Sequence, residues 1–260
     1  MKKHRYLSIP AFILGCVTLA LGHGALAGVQ FSADLQQTGP RGERTQGKMF
    51  VGEDRVRMEM SHQGQQIVRI TDENRGIEWV LFPAQKQYME RKLPPRGMSK
   101  PSAENPCAGA PQMRCQKLGE TSVAGRPAVV WEISQRGKEG RIKQWIDQAR
   151  GPAFILRQEL PNGQQMERVF LGKDTFAGRP VEKWRVDLKT PDGKQMQSFE
   201  WYDPALKTAL KQEYPQGMGM ALSNIHVGPQ PDQLFNVPAG FGRMTAPPGM
   251  SGPGSFRPQR

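Results

Sequence analysis

From residue 29 to residue 90 apolar and polar side chains alternate, and turn residues interrupt the alternation about every ten positions. A period of two puts alternate side chains on opposite faces of an extended strand, so the pattern predicts half-buried antiparallel strands joined by hairpins, with no βαβ units. Val29, Phe31, Ala33 and Leu35 form the first apolar set, and TGPRGERTQG follows as a turn. Val56, Met58 and Met60 share one face of RVRMEM while Arg55, Arg57 and Glu59 share the other. IEWVLFP sets Ile77, Trp79 and Leu81 together. Residues 93 to 116 break the pattern with Pro94, Pro95, Pro101, Pro106 and Pro111, which reads as an ordered loop or a linker between sub-sheets.

The alternation then resumes in two related copies. LGETSVAGRPAVVWEI (118–133) returns as LGKDTFAGRPVEKWRV (171–186) with seven of sixteen positions identical. The likeness covers residues 118–163 and 171–217, aligning Trp131 with Trp184, Trp145 with Trp201 and Asp147 with Asp203. The shared residues carry turn and core chemistry: Gly tolerates positive φ, Pro fixes φ without donating a hydrogen bond, and Trp offers a broad apolar face. A structural hairpin unit that cannot bury its face alone accounts for the repetition. Two functional alternatives stay open, namely Arg126 and Arg179 as one anion site per copy, and Asp147 and Asp203 as a carboxylate pair in place of turn-capping acceptors. ALKTALKQ (205–212) reads as a strand by its alignment with AFILRQEL, GMGMALSNIHV as a further strand, and QLFNVPAGF as a last short element.

Lys2, Lys3 and Arg5 precede an apolar run from Tyr6 to Leu21 that leads to Ala25-Leu26-Ala27, the pattern of a secretory signal peptide over residues 1–27. Cys16, in ILGC, offers a lipid-anchored alternative. These readings give a periplasmic protein with one domain over residues 28–243 and a disordered Pro- and Gly-rich tail over 244–260. Without the leader the chain carries 33 Lys and Arg against 24 Asp and Glu, a charge of +9. On an exported protein such a surface attracts anionic headgroups, lipopolysaccharide phosphates or acidic proteins, or serves solubility alone, and no nucleic acid partner is expected. No later segment is apolar over the roughly 20 residues that a spanning helix needs.

Catalytic chemistry is hard to find. After the leader only His62 and His226 remain, neither with ligand-spaced Cys, Asp or Glu, so no metal and no cofactor is expected. Nucleophile-elbow, zinc-protease and phosphate-loop patterns are missing, and the expectation is no enzyme. Cys107 and Cys115, an even pair in an oxidising compartment, read as a disulfide that closes a short loop. Twelve of the 13 methionines follow the leader, several on strand faces, and this polarizable set fits an adaptable apolar surface as well as ordinary core.

The series FSADLQQ, GKMFVGEDRVRMEM, VLFPAQKQYME, LGETSVAGRPAVVWEI and LFNVPAGF resembles the exported domains related to the outer-membrane lipoprotein-sorting carriers, the LolA-like superfamily, in a branch with a paired-cysteine loop. The resemblance implies a mainly β fold: a strongly curved antiparallel sheet, an unclosed half-barrel with few short helices, whose concave side holds acyl chains or a hydrophobic partner. No lid helices and no counterpart of the carriers' ligand-gripping arginine are legible here. Two functions follow as expectations. The first is a carrier or binder of a lipid-like or lipoprotein ligand, with Met58, Met60, Trp79, Leu81, Trp131, Trp145 and Trp201 lining the cavity. The second is an envelope protein-interaction or stress-sensing module that docks a protein through a sheet edge or basic face without a small ligand.

Overall fold

A computed structural model describes residues 29–62, 64–93 and 105–244. The predicted leader, the first part of the proline-rich connection and the tail from residue 245 lie outside the described residues. Sixteen strands are formed: β1 Phe31–Thr38, β2 Arg44–Gly52, β3 Arg55–His62, β4 Gln65–Asp72, β5 Ile77–Phe82, β6 Gln87–Lys92, β7 Met113–Val123, β8 Arg126–Gln135, β9 Arg141–Asp147, β10 Ile155–Glu159, β11 Gln165–Phe176, β12 Arg179–Lys189, β13 Gln195–Asp203, β14 Thr208–Glu213, β15 Gly219–Val227 and β16 Gly242–Arg243. They make one sheet in the order β16-β6-β5-β4-β3-β2-β1-β15-β14-β13-β12-β11-β10-β9-β8-β7. Among the described residues every strand pairing is antiparallel except that of β16 with β6, so the sheet is a hairpin succession left unclosed. The described helical turns are short, the longest being Asp232–Phe235 with 4 residues. Several boundaries differ from the sequence reading: residues 44–47, read as part of the TGPRGERTQG turn, pair with β1 and open β2, and residues 113–116, read as loop, pair with β8 and open β7. Ala205, Leu206 and Lys207 form a turn ahead of β14, because Asp203 Oδ1 accepts from the backbone N–H of Ala205 and Leu206.

The repeated sentence is a repeated hairpin. Ala124 and Gly125 both have positive φ (46° and 80°), as do Ala177 and Gly178 (50° and 73°). Two positive-φ residues in a two-residue loop make the turn whose twist matches that of the flanking strands. Pro127 faces Ser122 across the hairpin. Two places beyond a two-residue turn, facing residues do not exchange hydrogen bonds, so the missing proline N–H costs the β7–β8 ladder nothing. The shared Leu-Gly marks a bulge: the β7–β8 register shifts between Lys117 and Gly119, and the β11–β12 register between Phe170 and Gly172. Gly119 and Gly172 take φ of 151° and 144°, a conformation L side chains rarely adopt.

Curvature follows from contacts across the sheet. Four strand spacings separate β8 from β12, about 19 Å in a flat sheet. Yet the Arg126 guanidinium lies 5.1 Å from the Trp184 ring centroid. Arg150, in the turn after β9, pairs with Glu182 on β12 and stacks on Phe154, 4.4 Å from its centroid. Rolled in this way, a single sheet buries its own apolar side chains without a covering helix layer among the described residues.

Burial occurs on both faces. Phe31, Leu35, Met49, Val51, Leu210 and Leu222 form one cluster, with Met58 and Met60 packed against it. Val68, Ile70, Trp79 and Leu81 form another, closed by Phe235 from the C-terminal segment. Met58 faces Arg69, while Trp79 faces Ile70. Arg69 and Ile70 are adjacent on β4, so the two clusters lie on opposite faces. The segment carrying Phe235 is held by Arg55 Nη2 on Asp232 Oδ1 at 2.6 Å and by Arg57 Nη1 on the Leu234 carbonyl at 2.8 Å.

Candidate binding site

The structure does not gather the expected lining residues around one cavity. Met58 and Met60 are half-buried beside the cluster that contains Trp201, and Trp79 and Leu81 lie on the other face under Phe235. Trp131 faces Gln144 whereas Trp145 faces Val130, so these two also project to opposite sides. Trp145 packs with Phe154 and Trp184, while Trp131 packs with Val129, Ile133 and Ile146 against Cys107 and Cys115. The cause is two-sided burial, which sequence alternation in neighbouring strands does not report.

The two alternatives read from the repeat cancel each other. Arg126 Nε donates to Asp147 Oδ2 at 2.9 Å, and Arg179 Nε to Asp203 Oδ2 at 2.5 Å. Asp147 Oδ1 accepts from the backbone N–H of Ala149 and Arg150, and Asp203 Oδ1 accepts likewise from Ala205 and Leu206. Each arginine has its anion and each carboxylate its donors, a structural lock without a free nucleophile or base. A third strand end repeats the capping, as Asp72 Oδ1 accepts from the Arg75 N–H at 2.8 Å. Trp201 is held by Asp174, with Lys183 and Lys211 over its ring at 4.8 and 4.3 Å. That indole N–H holds the Asp174 carboxyl below its usual range, helped by the Thr175 backbone N–H.

Two concavities have distinct chemistry. One, of about 280 Å³, is lined by Ser32, Asp34, Lys48, Phe50, Asn224 and His226, and Asn224 Nδ2 donates to Asp34 Oδ2 across it. The other, of about 440 Å³, is a half-open cleft over β7, β8 and β9. Val129, Trp131 and Ile146 make its floor, with Lys117, Glu120, Asp147 and Gln148 around them. Lys117 Nζ meets Glu120 Oε1 at 2.7 Å. That hydrogen bond, the lysine charge and Gln148 hold the Glu120 carboxyl below its usual range.

One buried donor of the cleft-floor residues stands out. Trp79 donates to Glu90, Trp184 to Glu182 and Trp201 to Asp174, each at 2.8 to 3.1 Å. Trp131 Nε1 is buried and meets no acceptor among the described residues. A buried unpaired donor costs about 1–3 kcal/mol. Sequence reasoning named Trp131 and missed Lys117, Glu120 and Gln148, which are ordinary polar strand and turn residues until β7 and β9 flank β8.

Cys107 and Cys115 are bonded, with Cα atoms 5.8 Å apart. No group of three or more His, Cys, Asp or Glu suited to a metal occurs among the described residues. No described helix is long and apolar enough to cross a membrane.

No family model and no curated protein sequence matches the chain. Solved structures do. A DUF1329 family protein from Desulfovibrio piger matches with 14% identity and a TM-score of 0.40, over 83% of this chain and 91% of that one. A LolA superfamily protein from Nitrosomonas europaea matches with 13% identity and a TM-score of 0.37, over 81% and 90%. MucB in its complex with MucA from Pseudomonas aeruginosa matches with 14% identity and a TM-score of 0.23, over 81% and 91%. At these TM-scores no residue, ligand or partner is carried across, and the site rests on this chain's own geometry.

Proposed function

We propose that the protein is an exported, periplasmic binding protein without catalytic chemistry, and that it engages a protein partner of the cell envelope at the cleft over Trp131. The supporting observation is a half-open cleft with an apolar floor of Val129, Trp131 and Ile146 and a polar rim of Lys117, Glu120 and Gln148. Such a site offers apolar contact ringed by polar groups, the usual make-up of a binding pocket. The rolled interior favours a protein over an enclosed lipid, since Phe31, Leu210, Leu222 and Trp184 are all 0% exposed and leave little room for acyl chains among them. A lipid-like or lipoprotein ligand is the second reading. It is favoured by the cleft volume of about 440 Å³ and by the half-buried Met58 and Met60.

Photocrosslinking from position 148, at the cleft rim, separates the two. The expected result is one dominant protein adduct that Trp131→Leu abolishes, with native mass spectrometry of the purified protein giving the polypeptide mass alone. A lipid adduct in that spectrum, with no protein crosslink, overturns the first reading for the second.

A further inference from the structure

The two lateral edges of the sheet are treated differently. β6 is covered by the chain itself, for β16 pairs with it and Gly242 and Met244 donate backbone hydrogen bonds to the carbonyls of Lys86 and Tyr88 at 2.8 and 2.7 Å. β7, at the other end, spans 11 residues and among the described strands pairs on one side alone, with β8. The disulfide joins Cys107 to Cys115 in the lower part of β7. Above the bulge Glu120, Thr121 and Ser122 are exposed.

Hairpin parity says where the backbone groups of this stretch point. Val123 faces Arg126 as the closing pair of a two-residue turn, so the two exchange both hydrogen bonds, and the facing pairs alternate from there. Thr121 then bonds to β8, while Glu120 and Ser122 turn their N–H and C=O groups away from it. Neither has a backbone partner across that edge among the described residues. The Glu120 side chain also lines the Trp131 cleft, so this edge and the cleft are continuous.

We propose that the Gly119–Val123 stretch of β7 takes an added strand from the partner, an extended polypeptide segment with an apolar side chain set over Val129, Trp131 and Ile146. This rests on the reading of the cleft as a protein-docking site. The outward N–H and C=O groups of Glu120 and Ser122, without a backbone partner among the described residues, fit another extended backbone, and alternate side chains of an added strand fall on the cleft side. The bulge at Gly119 and the charge of Lys117 keep the pairing short, which disfavours the long flat contact by which edges aggregate.

The test uses the full chain and random nonapeptides selected by panning against it. Ser122→Pro removes one outward N–H and leaves the β7–β8 ladder intact, so its circular dichroism and Tm should match the wild type. Selected peptides are expected to lose at least tenfold in affinity for Ser122→Pro and for Trp131→Leu, and to slow amide exchange at Glu120 and Ser122. Affinity that falls with Trp131→Leu but survives Ser122→Pro overturns strand addition and leaves the cleft as the docking site. Affinity indifferent to both overturns the cleft as well, as does a library that yields no binder. Concentration-dependent dimers abolished by Ser122→Pro contradict the proposal by making a second copy the occupant.

Discussion

Arg126 closes on Asp147 with Nε 2.9 Å from Oδ2, joining the first residue of β8 to the last of β9. The carboxylate is 2% exposed and its second oxygen caps the following turn. Arg179 and Asp203 repeat the arrangement at the ends of β12 and β13. Breaking a buried pair by removing one partner leaves charge and donors unsatisfied. Because the arginines are about a quarter exposed, Asp147→Ala and Asp203→Ala are each expected to cost about 2–4 kcal/mol in urea unfolding, and Arg126→Ala and Arg179→Ala less. Asp147→Asn and Asp203→Asn, which keep an acceptor for the turn, should fall between.

Gly52 and Phe235 are in direct opposition. A Cβ built on Gly52 would lie 2.8 Å from the Phe235 ring, which is 0% exposed and closes the β4–β5 cluster. Gly52→Ala is expected to cost about 1–3 kcal/mol through overpacking. Phe235→Ala should cost about 3–5 kcal/mol. In a double-mutant cycle the two costs should be far from additive, because the alanine methyl enters space the ring has left.

Sequence legibility divides along the same lines. The hairpins were readable because Ala-Gly-Arg-Pro is a local statement about φ and hydrogen bonding, and it placed the β7–β8 and β11–β12 turns, while the bulges at Gly119 and Gly172 and the start of β7 were not read. The disulfide was readable from an even cysteine count. Face assignment was not. Val129 and Val130, adjacent on β8, are both 9% exposed, so a strand buried on two sides carries no alternation to separate Trp131 from Trp145. The Arg126–Asp147 and Gly52–Phe235 contacts join residues that only the rolled sheet brings together. Orphan status at Trp131 depends on what three neighbouring strands fail to provide.

The disulfide spans a separation of 8 residues and packs Cys107 beside the Trp131 cluster. Loop-closure entropy sets its stabilisation at about 2–3 kcal/mol. Cys107→Ser with Cys115→Ser should lower stability by that amount in thermal unfolding monitored by circular dichroism. Because Cys107 and Cys115 flank the Trp131 cluster, the same variant should also shift the Trp131 fluorescence, measured as a difference against Trp131→Phe.

Two side chains set opposite pH limits. Burial pushes the Tyr202 phenol above its usual 10.0. A raised pKa in the fold stabilises below the unfolded value and is lost as pH rises through the folded one, so stability should decline above about pH 10 and decline less in Tyr202→Phe. The lowered Asp174 carboxyl acts the other way. Its contribution is present above the unfolded value of about 4 and is lost as pH falls through the folded one, so Asp174→Asn should flatten the acid side of a Tm profile.

The most direct measurement compares two substitutions in one titration. The dissociation constant of a panned peptide is determined for the wild type, for Trp131→Leu at the edge cleft and for Met58→Ala on the rolled face. A tenfold or greater loss at Trp131 with Met58→Ala unchanged is the expected result. Loss at Met58 with Trp131→Leu unchanged would put the binding surface inside the roll and contradict the edge cleft.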